Sequence, residues 1–462
     1  MIAWFSGSGN SAGVFFRDGA GGTVAASASL SSIGSGLRVI DLSIVVPSGT
    51  YDRMVLRIAP AAAQTAEVAA YLAAIGTAPS ATRAPMPKDY LDAGVKAATA
   101  FVDWRYGLWY LREARQRLSR LKNGQSQQMT LAFIGDSYTH NASRWTGGVS
   151  TDLIAEYGDA GGGWLGFAYG GGGTLVNGNM RPSLYTYSRS GTWADTYGTS
   201  PSPDACHASS ITAGSKISLA GPATPVLSKA KLFWVGTSAG VVRYRWNGGS
   251  WTSLNVQAEV GSLQSTDLGG LPVSGAWTLE IEIASGSGTC WLAGIDLQSS
   301  ANGIRAHKLG ATGTSAQQWA ALNATNWQSG LSLLAPDLVV IMHGTNDQAG
   351  GRSSSQFASD ISTIVSRVKA ARPATDVLVI MPPDNQSESA GLLPAYSNAV
   401  RNLSAGSGKF AFMDLQRVFG DDPAEYASGS ARPWFNADKI HPEPSSGGYA
   451  MRDAFIRTLL YG

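Results

Sequence analysis

The run "LAFIGDSYTH" (131–140) sets Ser137 directly behind Gly135 and Asp136. Far downstream, "NADKIHPEP" holds Asp438 and His441 three residues apart, and "HGTND" holds His343, Gly344, Thr345, Asn346 and Asp347. These residue types suit nucleophilic attack on a carbonyl carbon. A serine hydroxyl becomes a nucleophile only if a base takes its proton, and the base needs an acceptor to fix its tautomer. Asp438 and His441 on one short loop can supply that pair. The tetrahedral oxyanion then needs donors already in place. Candidates are the Ser137 backbone N–H, a glycine N–H near Gly313, and the Asn346 side-chain amide.

Each residue also has a plainer reading. Gly, Asp and Ser are what any turn prefers. Asn346 and Asp347 could be turn residues, Asp438 a helix cap, and His441 a structural residue before Pro442. Asp136 suits organising its loop better than reacting. His140 and His343 could line the site, although local hydrogen bonding is the commoner role of buried polar groups. Together these plain readings weaken, because a nucleophile, a base, an acceptor and oxyanion donors are all present.

Something must bring such distant residues together. Five short apolar runs end in polar loops: "MTLAFIGDS", "IRAHKLGATG", "DLVVIMHGTND", "DVLVIMPPDN" and "FAFMDL". Helical patterns separate them, such as "FASDISTIVSRVKAA" from Phe357 and "GGYAMRDAFIRTLL" from Gly447. Strands apolar on both faces, alternating with helices, imply a parallel sheet covered on both sides. The expected class is α/β, a three-layer flavodoxin-like fold with five parallel strands. Ligands then collect beyond the carboxyl ends of the strands, where the reactive stretches lie.

Between the first two of these strands, residues 166–303 read differently. "KLFWVG", "VVRYRWNGGSWTSLNV" and "WTLEIEIA" alternate strictly, with Val242, Tyr244 and Trp246 on one face and an Asn-Gly turn between strands. This predicts an inserted β-sandwich. Trp246, Trp251, Trp277 and Trp291 are candidates for a sugar-stacking face, with core packing as their alternative. Residues 1–76 read as a small β-module: a hairpin over Leu37–Pro60, with Ile40, Leu42, Ile44 and Val46 on one face, then an Ala-rich helix over Ala61–Ile75. Residues 77–88 read as a proline-interrupted linker. Residues 89–165 give the first part of the α/β domain, led by a helix from about Tyr90 to Leu121, and 304–462 give the second part. No internal repeat is evident.

Composition narrows the classes further. The 462 residues exceed one compact core. Only 14% are charged, whereas Gly reaches 56 and Trp 14, a balance that suits β-rich modules that meet carbohydrate. A net charge of +2 gives no electrostatic case for nucleic acid. No apolar run is long enough to span a membrane. The first residues have no signal-peptide pattern, so action outside the cell would require a removed leader or another route, such as a virus particle. Cys206 and Cys290 could pair but cannot define a framework, and no metal-ligand spacing is present.

Gly135-Asp136-Ser137, "LGATGTSA" around Gly313, Gly344-Thr345-Asn346-Asp347 and Asp438-Lys439-Ile440-His441 resemble the ordered sequence blocks of the SGNH (GDSL) hydrolase superfamily. The resemblance covers Met129–Gly166 and Ile304–Leu460. It implies Ser137 as nucleophile, His441 as base, Asp438 as its partner, and Ser137, Gly313 and Asn346 as oxyanion donors. "EYGDAGGGWLGF", a β-module and then "GATGTSAQQW" are similar to the branch of peptidoglycan and other polysaccharide O-acetylesterases, a resemblance that implies a carbohydrate-binding-like insert. The expectation is a serine esterase removing short acyl groups from an O-acetylated polysaccharide, with no metal or organic cofactor. It would act extracellularly, as a virion-associated, secreted or periplasmic protein. The alternatives are a phage tail or surface glycan-binding protein with a silent site, which could be oligomeric, a lipase or thioesterase, or an O-acyltransferase.

Overall fold

The computed structural model describes residues 104–168, 179–385, 392–406, 408–420 and 422–461, and six strands before them. The chain divides into two units, Met1–Val102 and Asp103–Gly462. In the first unit, Gly36–Val39 and Ala66–Ala69 both pair antiparallel with Ile2–Phe5. Thr23–Ile33 and Arg53–Ala59 flank Asn10–Arg17 in a second antiparallel sheet. The expected hairpin is therefore corrected, since its two described ends join different sheets. The Ala-rich stretch is corrected too, because Ala66–Ala69 is a strand. Ile40, Leu42, Ile44, Val46 and the linker lie outside the described residues.

The second unit is built on a mixed sheet. Its parallel strands are β1 (Gln128–Gly135), β2 (Gly303–Gly310), β3 (Leu338–Met342), β4 (Asp376–Met381) and β5 (Ala411–Asp414). Their spatial order is β2-β1-β3-β4-β5, the flavodoxin order. A two-residue strand, Arg105–Tyr106, adds antiparallel at the β5 edge. The expected helix from Tyr90 to Leu121 is corrected at this strand, and among the described residues helix α1 runs from Arg112 to Lys122.

Side chains alternate across the sheet as strand geometry requires. On one face Met129, Leu131 and Phe133 pack under α1, α3 (Thr146–Tyr157) and α10 (Gly447–Tyr461). On the other, Ala132 and Ile134 pack under α4 (Ala316–Ala321), α5 (Ala324–Leu334), α7 (Ser354–Ala371) and α8 (Leu392–Ala405). Three short helices sit at strand ends: α2 (Ser137–His140), α6 (Thr345–Ala349) and α9 (Leu415–Phe419). Capping boxes at Ser315/Gln318 and Ser353/Gln356 start α4 and α7.

Between β1 and β2 lie two antiparallel sheets, one of five strands and one of six. Ile217, Val242, Tyr244, Leu279 and Ile281 of one meet Leu232, Trp234, Leu292 and Leu297 of the other. The far face of the six-stranded sheet is also buried. Phe233, Val235 and Cys206 share a core with Trp319 and Trp327 of α4 and α5, and the Trp327 indole donates to the Pro203 carbonyl at 3.2 Å. Strand Gly163–Gly166 lies across the expected boundary at 166 and pairs with Cys290–Ser299. Both cysteines are free and buried.

The four tryptophans do not share one open face. Trp246 and Trp277 meet edge-to-face at 5.7 Å inside the sandwich core. Trp251 packs against the guanidinium groups of Arg243 and Arg245, and Trp291 stacks on His207. Strand alternation turns Trp246 inward and sends Arg243 and Arg245 to the opposite surface.

Candidate active site

Ser137 stands at the first position of α2, immediately beyond the carboxyl end of β1. The turn is tight. A Cβ on Gly135 would come within 2.6 Å of the Met342 carbonyl oxygen, so only glycine lets β1 run this close to β3 at its exit. Asp136 caps α2, its Oδ1 accepting from the Tyr138 N–H at 2.9 Å. Ser137 keeps 8% of its surface.

The second part comes from the loop before α10. Lys439 takes a left-handed φ of 63°, which folds the loop back on itself. Asp438 Oδ1 then accepts the N–H groups of Ile440 and His441, both at 2.9 Å. The other oxygen, Oδ2, lies 2.8 Å from His441 Nδ1. His441 Nε2 is 2.7 Å from Ser137 Oγ. Serine, imidazole and carboxylate thus form one continuous hydrogen-bonded chain. With Nδ1–H donating to Asp438, Nε2 is left as the acceptor for the serine proton.

Charge placement suits a base. Burial lowers the His441 pKa, the Arg144 guanidinium lowers it further, and Asp438 opposes both. Burial pushes the Asp438 carboxyl up, but the His441 N–H and imidazole outweigh it and hold the group below its ordinary value. Asp136 differs, since burial and the nearby Asp347 raise it to about 7. Asp347 is itself raised by burial to about 6.

The remaining sequence candidates separate. Asn346, on α6, donates through Nδ2 to the Thr314 carbonyl at 2.9 Å, and reaches Asp136 Oδ2 only at 3.4 Å. One amide proton is therefore well bonded and the other only weakly held. Gly313 precedes Thr314 on the same loop, with a φ of 75° and open space where a side chain would be. His140 and His343 are buried. His140 Nδ1 donates to the Gly310 carbonyl at 3.0 Å, and the His343 ring packs against Trp319.

Two residues went unnoticed in the sequence. The Tyr138 hydroxyl donates to the Ile440 carbonyl and ties the helix of Ser137 to the histidine loop, and its ring lies 5.5 Å from that of His441. Arg144 Nη1 donates to the Ser137 carbonyl. A lone cation seven residues past the serine, in a chain poor in charge, was the available signal.

Residues 286–449 match the GDSL-like lipase/acylhydrolase family. This span holds Asn346, Asp438 and His441, while the fold brings in Ser137 through β1. The match covers about a third of the chain and supports its resemblance to the SGNH (GDSL) hydrolases. Among solved structures, the chain is similar in fold to a peptidoglycan O-acetylesterase, at 19% identity and a TM-score of 0.57, covering 77% of this chain and 96% of that one. A family two carbohydrate esterase from Cellvibrio japonicus aligns at 11% identity and a TM-score of 0.26, covering 60% of this chain and 99% of that one. A salicylyl-acyltransferase from a tetracycline biosynthetic pathway aligns at 13% identity and a TM-score of 0.29, covering 60% and 94%. A search of curated protein sequences found no match.

Proposed function

We propose that this chain is an SGNH hydrolase, a serine esterase that removes O-acetyl groups from a polysaccharide. Ser137 attacks the acetyl carbonyl as His441 takes its proton, and Asp438 stabilises the imidazolium. The oxyanion is received by the Ser137 and Gly313 N–H groups and the weakly held Asn346 amide proton. Collapse expels the sugar hydroxyl, protonated by His441, and leaves an acetyl-serine. Water, activated by the same histidine, then releases acetate. Such a substrate would be met outside the cytoplasm.

The observation that carries this reading is the unbroken chain Ser137–His441–Asp438. The loops beside it, "THNASRW" and "QAGGRSSSQ", are small and polar. A long acyl chain would want a broad apolar wall. The fold likeness to a peptidoglycan O-acetylesterase supports a glycan ester over a lipid. The test is mass spectrometry of acetate released from a panel of O-acetylated glycans, with Ser137→Ala as control. Acetate from at least one glycan, absent in the variant, supports the reading. No release from any, with p-nitrophenyl decanoate cleaved faster than the acetate, overturns it.

A further inference from the structure

The loop between α2 and α3 returns to the site it leaves. Trp145 is buried and meets Phe133 and Phe455 edge-to-face at 5.6 and 5.9 Å, which pins the loop to β1 and α10. Beside it, the Arg144 carbonyl packs so tightly on Gly448 at the start of α10 that a Cβ there would collide. The Arg144 N–H donates to the Asn141 carbonyl at 3.0 Å. The arginine backbone is thus held on both sides, and α10 directly follows the loop carrying His441. The guanidinium of Arg144 extends from this fixed backbone to Ser137.

One of its five N–H groups donates to the Ser137 carbonyl. That carbonyl also accepts the Asn141 N–H at 3.3 Å. The main chain of the nucleophile is therefore fixed from outside the short helix that begins with it. The same cation acts electrostatically on Asp136, Tyr138, Asp438 and His441. The groups that act on the imidazole are the Ser137 hydroxyl and Tyr138 ring from α2, Asp438 from its own loop, and the charge of Arg144. Arg144 is the cation of that set. It opposes protonation of the base while Asp438 favours it.

We infer that Arg144 is a positioning residue that holds the Ser137 main chain for attack beside His441. It acts through those two residues and touches no reacting atom. The inference rests on the serine-esterase reading for its kinetic consequences alone. Its electrostatic consequence can be read without turnover.

The test is made on the full chain with Arg144→Gln and Arg144→Lys. Imidazole titration of His441 by NMR is paired with pH profiles of kcat/KM on p-nitrophenyl acetate. In Arg144→Gln the His441 pKa should rise, and the acid limb should move to higher pH with it. Its kcat should fall about tenfold or more, as misplacement of a reacting group predicts, with KM within about twofold. Arg144→Lys restores the charge and should return the pKa toward the parental value, so the inference stays testable if the glutamine variant does not fold. An unmoved His441 pKa in Arg144→Gln, or an Arg144→Lys pKa no closer to parental, overturns the inference. If the parental chain cleaves no ester, the serine-esterase reading falls, and the titration still decides the electrostatic role of Arg144.

Discussion

Ser137 Oγ and His441 Nε2 lie 2.7 Å apart although 304 residues separate them in the chain. The contact is made by topology. β1, the second strand from one edge of the sheet, delivers one partner, and the loop ahead of α10 brings the other to the same strand ends. Removing the hydroxyl should remove the chemistry. Ser137→Ala is expected to lower kcat on p-nitrophenyl acetate by about 10³-fold or more, with an unchanged circular dichroism spectrum. Parental turnover in that variant would contradict the assignment.

Asp438 holds His441 by its side chain and by two main-chain hydrogen bonds. Asp438→Asn keeps the shape but can donate to Nδ1, which favours the wrong tautomer. A kcat loss of roughly 10⁴-fold is expected by analogy with other serine–histidine–aspartate sites. A loss under about tenfold would show that the carboxylate is dispensable.

The acid limb of activity reports the base. His441 must be neutral to accept a proton, and its pKa lies below the ordinary 6.5. Activity should therefore persist below pH 6.5 and fall only as the lowered pKa is crossed. A kcat/KM profile with its acid limb above 6.5 would contradict this.

Asn346 is expected to matter for rate more than for binding. Its weakly held amide proton is free to meet an oxyanion that exists only in the transition state. Asn346→Ala should reduce kcat about 10²–10³-fold with little change in KM. A change confined to KM would assign it to ground-state binding instead.

His343 makes a stability prediction. Burial lowers its pKa to about 3, and neither ring nitrogen has a partner among the described residues. The folded value lies below the ordinary 6.5, so the folded protein binds fewer protons between these limits. Its contribution is complete above pH 6.5 and is lost as pH falls toward 3. Urea unfolding of His343→Leu should show a shallower acid-side loss, by up to about 1.4 kcal/mol per pH unit. An identical slope in both proteins would refute this.

The sheet could be read from the sequence because apolar runs such as "DLVVIM" admit few alternatives when helices alternate with them. The blocks at Ser137, Asn346 and Asp438–His441 could be read because each ends or follows such a run. Arg105–Tyr106 could not, since two residues carry no period. Its pairing depends on β5, more than 300 residues away. The second buried face of the inserted six-stranded sheet was hidden for a related reason. Cys206, Phe233 and Val235 look like ordinary strand residues until α4 and α5 cover them. Arg144 and Tyr138 were missed because their roles are contacts to main-chain carbonyls, which leave no mark on residue type.

The most direct test is covalent. A fluorophosphonate bearing a small alkyl group should react once per chain, and peptide mass spectrometry should place the adduct on Ser137. His441→Ala should abolish labelling while leaving the fold intact. An adduct on another residue, or ester hydrolysis that continues in fully Ser137-labelled protein, would contradict the account.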